Sequence, residues 1–217
     1  MRALLKHLRS SLIATLLGAV PAAALASGTW DFRVFLDEKE IGTHRFDLID
    51  KGGSERQLVS QARMAVKLLF VTAYTYDHHD VEDWNGDCLG KLASKTDDNG
   101  DEYQVNVQRQ GASTVVQTRK GTQTLGECVM TFAYWNPAML KQTRLLNSQD
   151  GENVEVKITD AGADPIVVRG VKTPARRYEL RSTNKKLSID LWYSPTDEWL
   201  ALESKTERGQ KLIYKLK

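Results

Sequence analysis

The sequence predicts a mainly β protein: one strongly curved antiparallel sheet, a half-barrel or barrel, with one short helix packed on its concave side. Three observations carry that expectation. Apolar residues recur with period two along most of the chain, the signature of half-buried strands. Turn dipeptides such as Asn85-Gly86 and Asn99-Gly100 punctuate these runs at hairpin spacing. Only one stretch carries a helix start. So wide a sheet has to cover its apolar face and protect its edges, which curvature achieves.

The chain of 217 residues opens with Arg2, Lys6 and Arg9, an apolar run from Leu12 to Val20, Pro21, and the small-x-small triplet Ala24-Leu25-Ala26. That order predicts a cleaved secretory signal peptide over 1–26, cut between Ala26 and Ser27. The run is far shorter than the ~20 apolar residues a membrane span needs, and no cysteine follows the cut to take a lipid anchor. Residues 27–217 then read as a single antiparallel β domain exported to a bacterial periplasm, with no integral membrane segment. Three of the 30 Lys+Arg leave with the leader, so 27 remain against 28 Asp+Glu, a net charge of −1. That near-neutral balance offers no basic stripe for nucleic acid.

The strands follow in order. Trp30, Phe32, Val34 and Leu36 alternate with polar neighbours; Asp37–Glu40 makes a turn, and Ile41 to Ile49 returns. Leu58, Ala62, Met64, Val66, Leu68 and Phe70 share one face of the next run, and 71–84 continues as an aromatic-rich strand. Asn85-Gly86 turns into a strand from Cys88 to Thr96, and Asp98-Asn99-Gly100 into one carrying Tyr103, Val105 and Val107. The C-terminal half repeats the pattern at Val154–Ile158, Leu187–Tyr193, Trp199–Thr206 and Lys211–Leu216, with a turn at 207–209. Between the halves, Asn136 is a good N-cap and Pro137 suits the first helical position. Met139, Leu140, Thr143 and Leu146 then fall on one helical face, predicting a helix over 137–146.

Cys88 and Cys128 are the only thiols, an even number in a compartment that permits disulfides. Neither lies in a C-x-x-C motif or beside a cation, so a structural disulfide is expected. The densest polar constellation is Tyr74 to Trp84. On a strand, Tyr74, Tyr76, His78, Asp80, Glu82 and Trp84 share a face, and His79 points the other way. Such a face could line a pocket, bridge strands with charge pairs, or work as an acid–base or metal site with His44. His78 and Glu82 are then the candidate catalytic pair. Asp97–Glu102 and Gln149–Glu152 lack calcium-loop spacing and read as turns. No G-x-S-x-G, G-x-G-x-x-G, Walker or H-E-x-x-H motif occurs, so neither a cofactor nor a metal is expected.

Leu36–His44, Tyr76-Asp77-His78 with Glu82 and Trp84, Cys128-x3-Phe132-Ala133-Tyr134-Trp135-Asn136-Pro137, Leu145-Leu146-Asn147 and Asp190–Tyr193 occur in that order. Together they resemble an exported bacterial family known as a domain of unknown function, which has no established activity. In layout alone the chain is also similar to lipoprotein-localisation half-barrels that hold acyl chains under a helix. The leading expectation is a periplasmic module binding an apolar or amphipathic small molecule such as a lipid, with Tyr74, Tyr76, His78, Trp84, Phe132, Trp135 and Met139 around the ligand. The alternatives are an enzyme or metal-dependent protein using residues 78–82, and a structural cell-envelope protein with no small-molecule site.

Overall fold

A computed structural model describes residues 27–68, 71–182, 186–206 and 209–217. The leader 1–26, Phe70 and most of the 207–209 turn lie outside the described residues. The first half is a meander of β1 (Gly28–Leu36), β2 (Lys39–Gly52), β3 (Glu55–Leu68), β4 (Val71–Asn85), β5 (Cys88–Asp98), β6 (Asp101–Gln110), β7 (Ser113–Thr118) and β8 (Gly121–Leu125). The second half holds β9 (Arg144–Leu146), β10 (Asn153–Ala163), β11 (Ile166–Val168), β12 (Val171–Thr173), β13 (Arg176–Ser182), β14 (Ser188–Tyr193), β15 (Trp199–Lys205) and β16 (Lys211–Leu216).

Fourteen strands make one sheet in the order β8-β7-β6-β5-β4-β3-β2-β1-β16-β15-β14-β13-β10-β9, while β11 and β12 form a separate ribbon. Among the described residues every strand pairing is antiparallel, and an isolated parallel bridge joins Thr131 to Leu146. The two halves join where β1 meets β16, with Val34 opposite Tyr214. The edges, β8 and β9, do not pair with each other, so the sheet is curved but not closed. Alternation puts Phe32 and Val34, Ala62 and Met64, Val105 and Val107, and Leu191 and Tyr193 into the core. Between β1 and β2 the register shifts by one residue. Gly42 lies beside that bulge, where an added Cβ would sit 1.9 Å from the Arg63 carbonyl oxygen, so only glycine fits.

Local differences from the sequence reading have physical causes. The first turn is confined to Asp37-Glu38, and β2 begins at Lys39 because Leu36 already faces Lys39 across the hairpin. The β4–β5 turn is Gly86-Asp87, since Asn85 pairs with Cys88 as the last strand residue. Asn99 and Gly100 hold the positive φ angles of a primed turn, as expected.

The expected helix over 137–146 is corrected to a 3-10 helix of five residues, Pro137–Lys141. The start signal works: the Asn136 side chain accepts from the Ala138 amide at 3.0 Å. The end is set elsewhere in the chain. Gln142 is extended, and Arg144–Leu146 pairs with Glu155–Asn153 as an edge strand. The Leu146 amide also donates to the Met130 carbonyl at 2.8 Å. Strand pairing buries both Leu145 and Leu146, more than one face of an isolated helix would achieve.

Residues 126–143, between β8 and β9, form a strap inside the curved sheet. Cys88 and Cys128 form a disulfide that fastens it to the start of β5. The Leu89 amide donates to Val129, and the Tyr193 hydroxyl to the Tyr134 carbonyl at 2.7 Å. Trp135 meets Trp84 edge-on at 5.4 Å, and Tyr134 lies 5.1 Å from Trp199. The strap therefore touches both halves of the sheet. The 147–151 turn continues this filling, with Gly151 packed on Thr118, Val105 and Val116.

Candidate functional site

The concave side of β2–β5 carries a polar cluster inside an otherwise apolar core. Register builds it. His44 faces Ala62, Ala62 faces His78, and His78 faces Thr96; one step along the strands, Ser60 faces Asp80 and Asp80 faces Ser94. His78, Asp80 and Glu82 retain 5%, 3% and 2% of their exposure. The predicted face of β4 is thus the inward face, and His79 is exposed on the other side.

Hydrogen bonds order the cluster. Asp80 Oδ2 lies 3.0 Å from His78 Nε2, and Thr96 Oγ1 lies 2.8 Å from Nδ1. The carboxylate accepts from Nε2, and the Thr96 hydroxyl, which also donates to the Gln149 carbonyl at 3.5 Å, holds the other side of the ring. This hydroxyl–imidazole–carboxylate chain has the groups for general-base chemistry. Thr96 is as buried as Asp80. Glu82 accepts from Trp84 Nε1 at 2.9 Å. Burial, reinforced by the charge of Asp80, pushes the Glu82 carboxyl well above its usual range, against hydrogen bonds from Thr131 and Trp84. Asp80 Oδ1 is buried with no hydrogen-bond partner. Among the described residues, no three His, Cys, Asp or Glu side chains come together in a way that could hold a metal.

A second histidine stands at the cluster's border. His44 Nε2 lies 2.9 Å from Ser60 Oγ and Nδ1 lies 3.3 Å from the Tyr214 hydroxyl, while the ring stacks on Phe46 at 4.0 Å. Burial, helped by the nearby charge of His78, holds His44 well below the usual histidine range, so the ring is neutral. Tyr76 stacks near His78, with ring centroids 6.2 Å apart, and donates to Gln149 Oε1 at 3.2 Å. Burial raises the phenols of Tyr76, Tyr134 and Tyr214, so all three stay protonated.

The structure sorts the sequence-chosen residues into two groups. Trp84, Trp135 and Met139 are sealed in the core, with Met139 at 0% exposure. Tyr74, Tyr76 and Phe132 keep accessible surface, and the Tyr74 hydroxyl donates to Asp98 at 2.6 Å. Two open surface depressions lie elsewhere, at Gly100–Tyr103 with Arg119 and over the outward side chains of β5–β7. Sequence reasoning did not single out Ser60, Thr96, Tyr134, Tyr214 or Gln149 as site residues. Tyr214 was visible only as part of the Lys211–Leu216 strand.

These features define a barrel-like, disulfide-fastened β protein with a polar cluster on its concave face. The chain belongs to the family described as a domain of unknown function, DUF6134, whose family model matches residues 32–217. It is also similar in fold to a solved structure, a β-barrel-like protein of the domain of unknown function DUF1849 from Brucella abortus. That likeness has a TM-score of 0.66 over 88% of this chain and 95% of the other, at 11% identity. No curated protein matches the sequence. Among the described residues, no helix is long and apolar enough to cross a membrane.

Proposed function

We propose that this is an exported, periplasmic binding protein that takes an apolar or amphipathic small molecule, such as a lipid, on the concave side of its sheet. One observation carries the reading. His44, Tyr76, Phe132 and Tyr134 pack against the core inside the curve of the sheet yet keep accessible surface. Elsewhere on that face, Phe32, Leu58, Leu89 and Leu92 are sealed. Aromatic walls with a few oriented polar groups are how small-molecule sites are commonly built. The disulfide fits an oxidising compartment. The site therefore centres on His44, Tyr76, Tyr134 and Tyr214, with Trp84, Trp135 and Met139 as its supporting core.

Native mass spectrometry of protein isolated from the periplasm tests this. The expected result is a bound species of a few hundred daltons that is released on unfolding and reduced by Tyr134→Ala. Ligand-free protein that also takes up no long-chain compound in titration overturns the reading.

A further inference from the structure

Resting on that reading, we infer that the ligand's head is an amine and that anionic heads such as carboxylates are rejected. The charge on the concave face carries this. Among the described residues, the buried ionisable side chains other than tyrosines are His78, Asp80 and Glu82, and no lysine or arginine is buried. Arg56 and Arg109, at the far end of the sheet, are engaged elsewhere. Arg56 lies over the Trp135 ring at 4.7 Å and pairs with Asp87, while Arg109 pairs with Glu127 at 2.7 Å. A carboxylate or phosphate head would meet none of the described cations free and would face the buried Asp80, where like charges repel strongly.

An ammonium head finds the opposite situation. Asp80 Oδ2 is held by His78, but Asp80 Oδ1, on a residue only 3% exposed, has no partner. A buried carboxylate oxygen without a donor is a position that a charge-assisted hydrogen bond would satisfy. The phenol rings of Tyr76 and Tyr134 add electron-rich faces, which attract cations. The Tyr76 phenol is close enough to feel the charge of Asp80.

The test titrates the folded mature protein with decylamine, decanol and decanoate below their aggregation concentrations, at pH 7 and moderate salt, following tryptophan fluorescence. The chain length is constant, so only the head differs. The inference expects decylamine to bind at least tenfold more tightly than decanoate, with decanol between. It expects Asp80→Asn to reduce the amine-to-alcohol ratio below threefold while near-UV circular dichroism is retained. Decanoate binding as tightly as decylamine overturns the inference but leaves the binding reading intact. If none of the three binds, the reading fails and takes the inference with it. Where Asp80→Asn does not fold, the wild-type series alone decides.

Discussion

Removing the disulfide should cost a large part of this protein's stability without changing its native structure. Cys88 and Cys128 are 40 residues apart in sequence. Chain-entropy arguments give about 4 kcal/mol for closing a loop of that length. The strap has other anchors that do not depend on sulfur: the Leu89–Val129 and Leu146–Met130 backbone bonds, the Tyr193–Tyr134 bond, and the buried side chains of Met130, Trp135 and Met139. The effect should therefore fall on the unfolded ensemble. In Cys88→Ser/Cys128→Ser, urea unfolding followed by tryptophan fluorescence should show a loss of about 4 kcal/mol and a steeper denaturant dependence, because the unfolded chain opens further. For a domain of this size the midpoint temperature should fall by roughly 8–16 °C. Near-UV circular dichroism at zero denaturant should match the wild type. A loss below ~1 kcal/mol, or exposure of Trp135 while the other tryptophans stay protected, would refute the reasoning by showing that the bond acts on the folded state or hardly at all.

Glu82→Gln should flatten the dependence of stability on pH. The folded carboxyl titrates above its unfolded value of 4.5, so wild-type stability is full below that pH and falls as pH rises through the folded pKa, by up to about 1.4 kcal/mol per unit within the window. Melting temperatures of the two proteins should diverge above pH 4.5, the variant gaining; parallel curves would sink the assignment. Gly151→Ala should destabilise by about 2 kcal/mol or more, because the site has φ +77° and the new Cβ would lie 2.5 Å from Thr118 Cγ2. An unchanged urea midpoint would show that the 147–151 turn is not packed on β6 and β7.

The sheet was legible wherever one face meets water and the other the core. From β1 through β6 alternation is nearly unbroken, and positive-φ residues mark the turns. The reading failed where that contrast disappears. β8 is Gly121-Thr-Gln-Thr-Leu125, exposed at its first four positions, so it has no alternation to detect. β13 offers only Tyr178 and Leu180 among three arginines, and β11 and β12 are three residues each. The helix over 137–146 failed for a different reason. Its cap is genuine and local, but its end depends on β10 offering an edge to Arg144–Leu146. That partner begins only at Asn153, beyond the helical run itself.

The site follows the same division between local and non-local information. Period two alone placed His78, Asp80, Glu82 and Trp84 on one face, and the fold makes that face the buried one. It could not show that Ser60 and Thr96 would be their neighbours, because those contacts depend on the register of β3 and β5 against β4. Nor could it separate the half-buried aromatics from the sealed ones, since both are large, apolar and drawn inward. What separates Trp135 from Tyr134, adjacent in sequence, is where the strap runs. Trp135 is pressed onto Trp84 beneath Arg56, whereas Tyr134 turns towards Trp199 and keeps accessible surface. The strap's path is fixed by one disulfide and a few backbone bonds to strands distant in sequence. The strap thus completes the core at one tryptophan and leaves the neighbouring tyrosine against Trp199 with accessible surface, as the proposed ligand site requires.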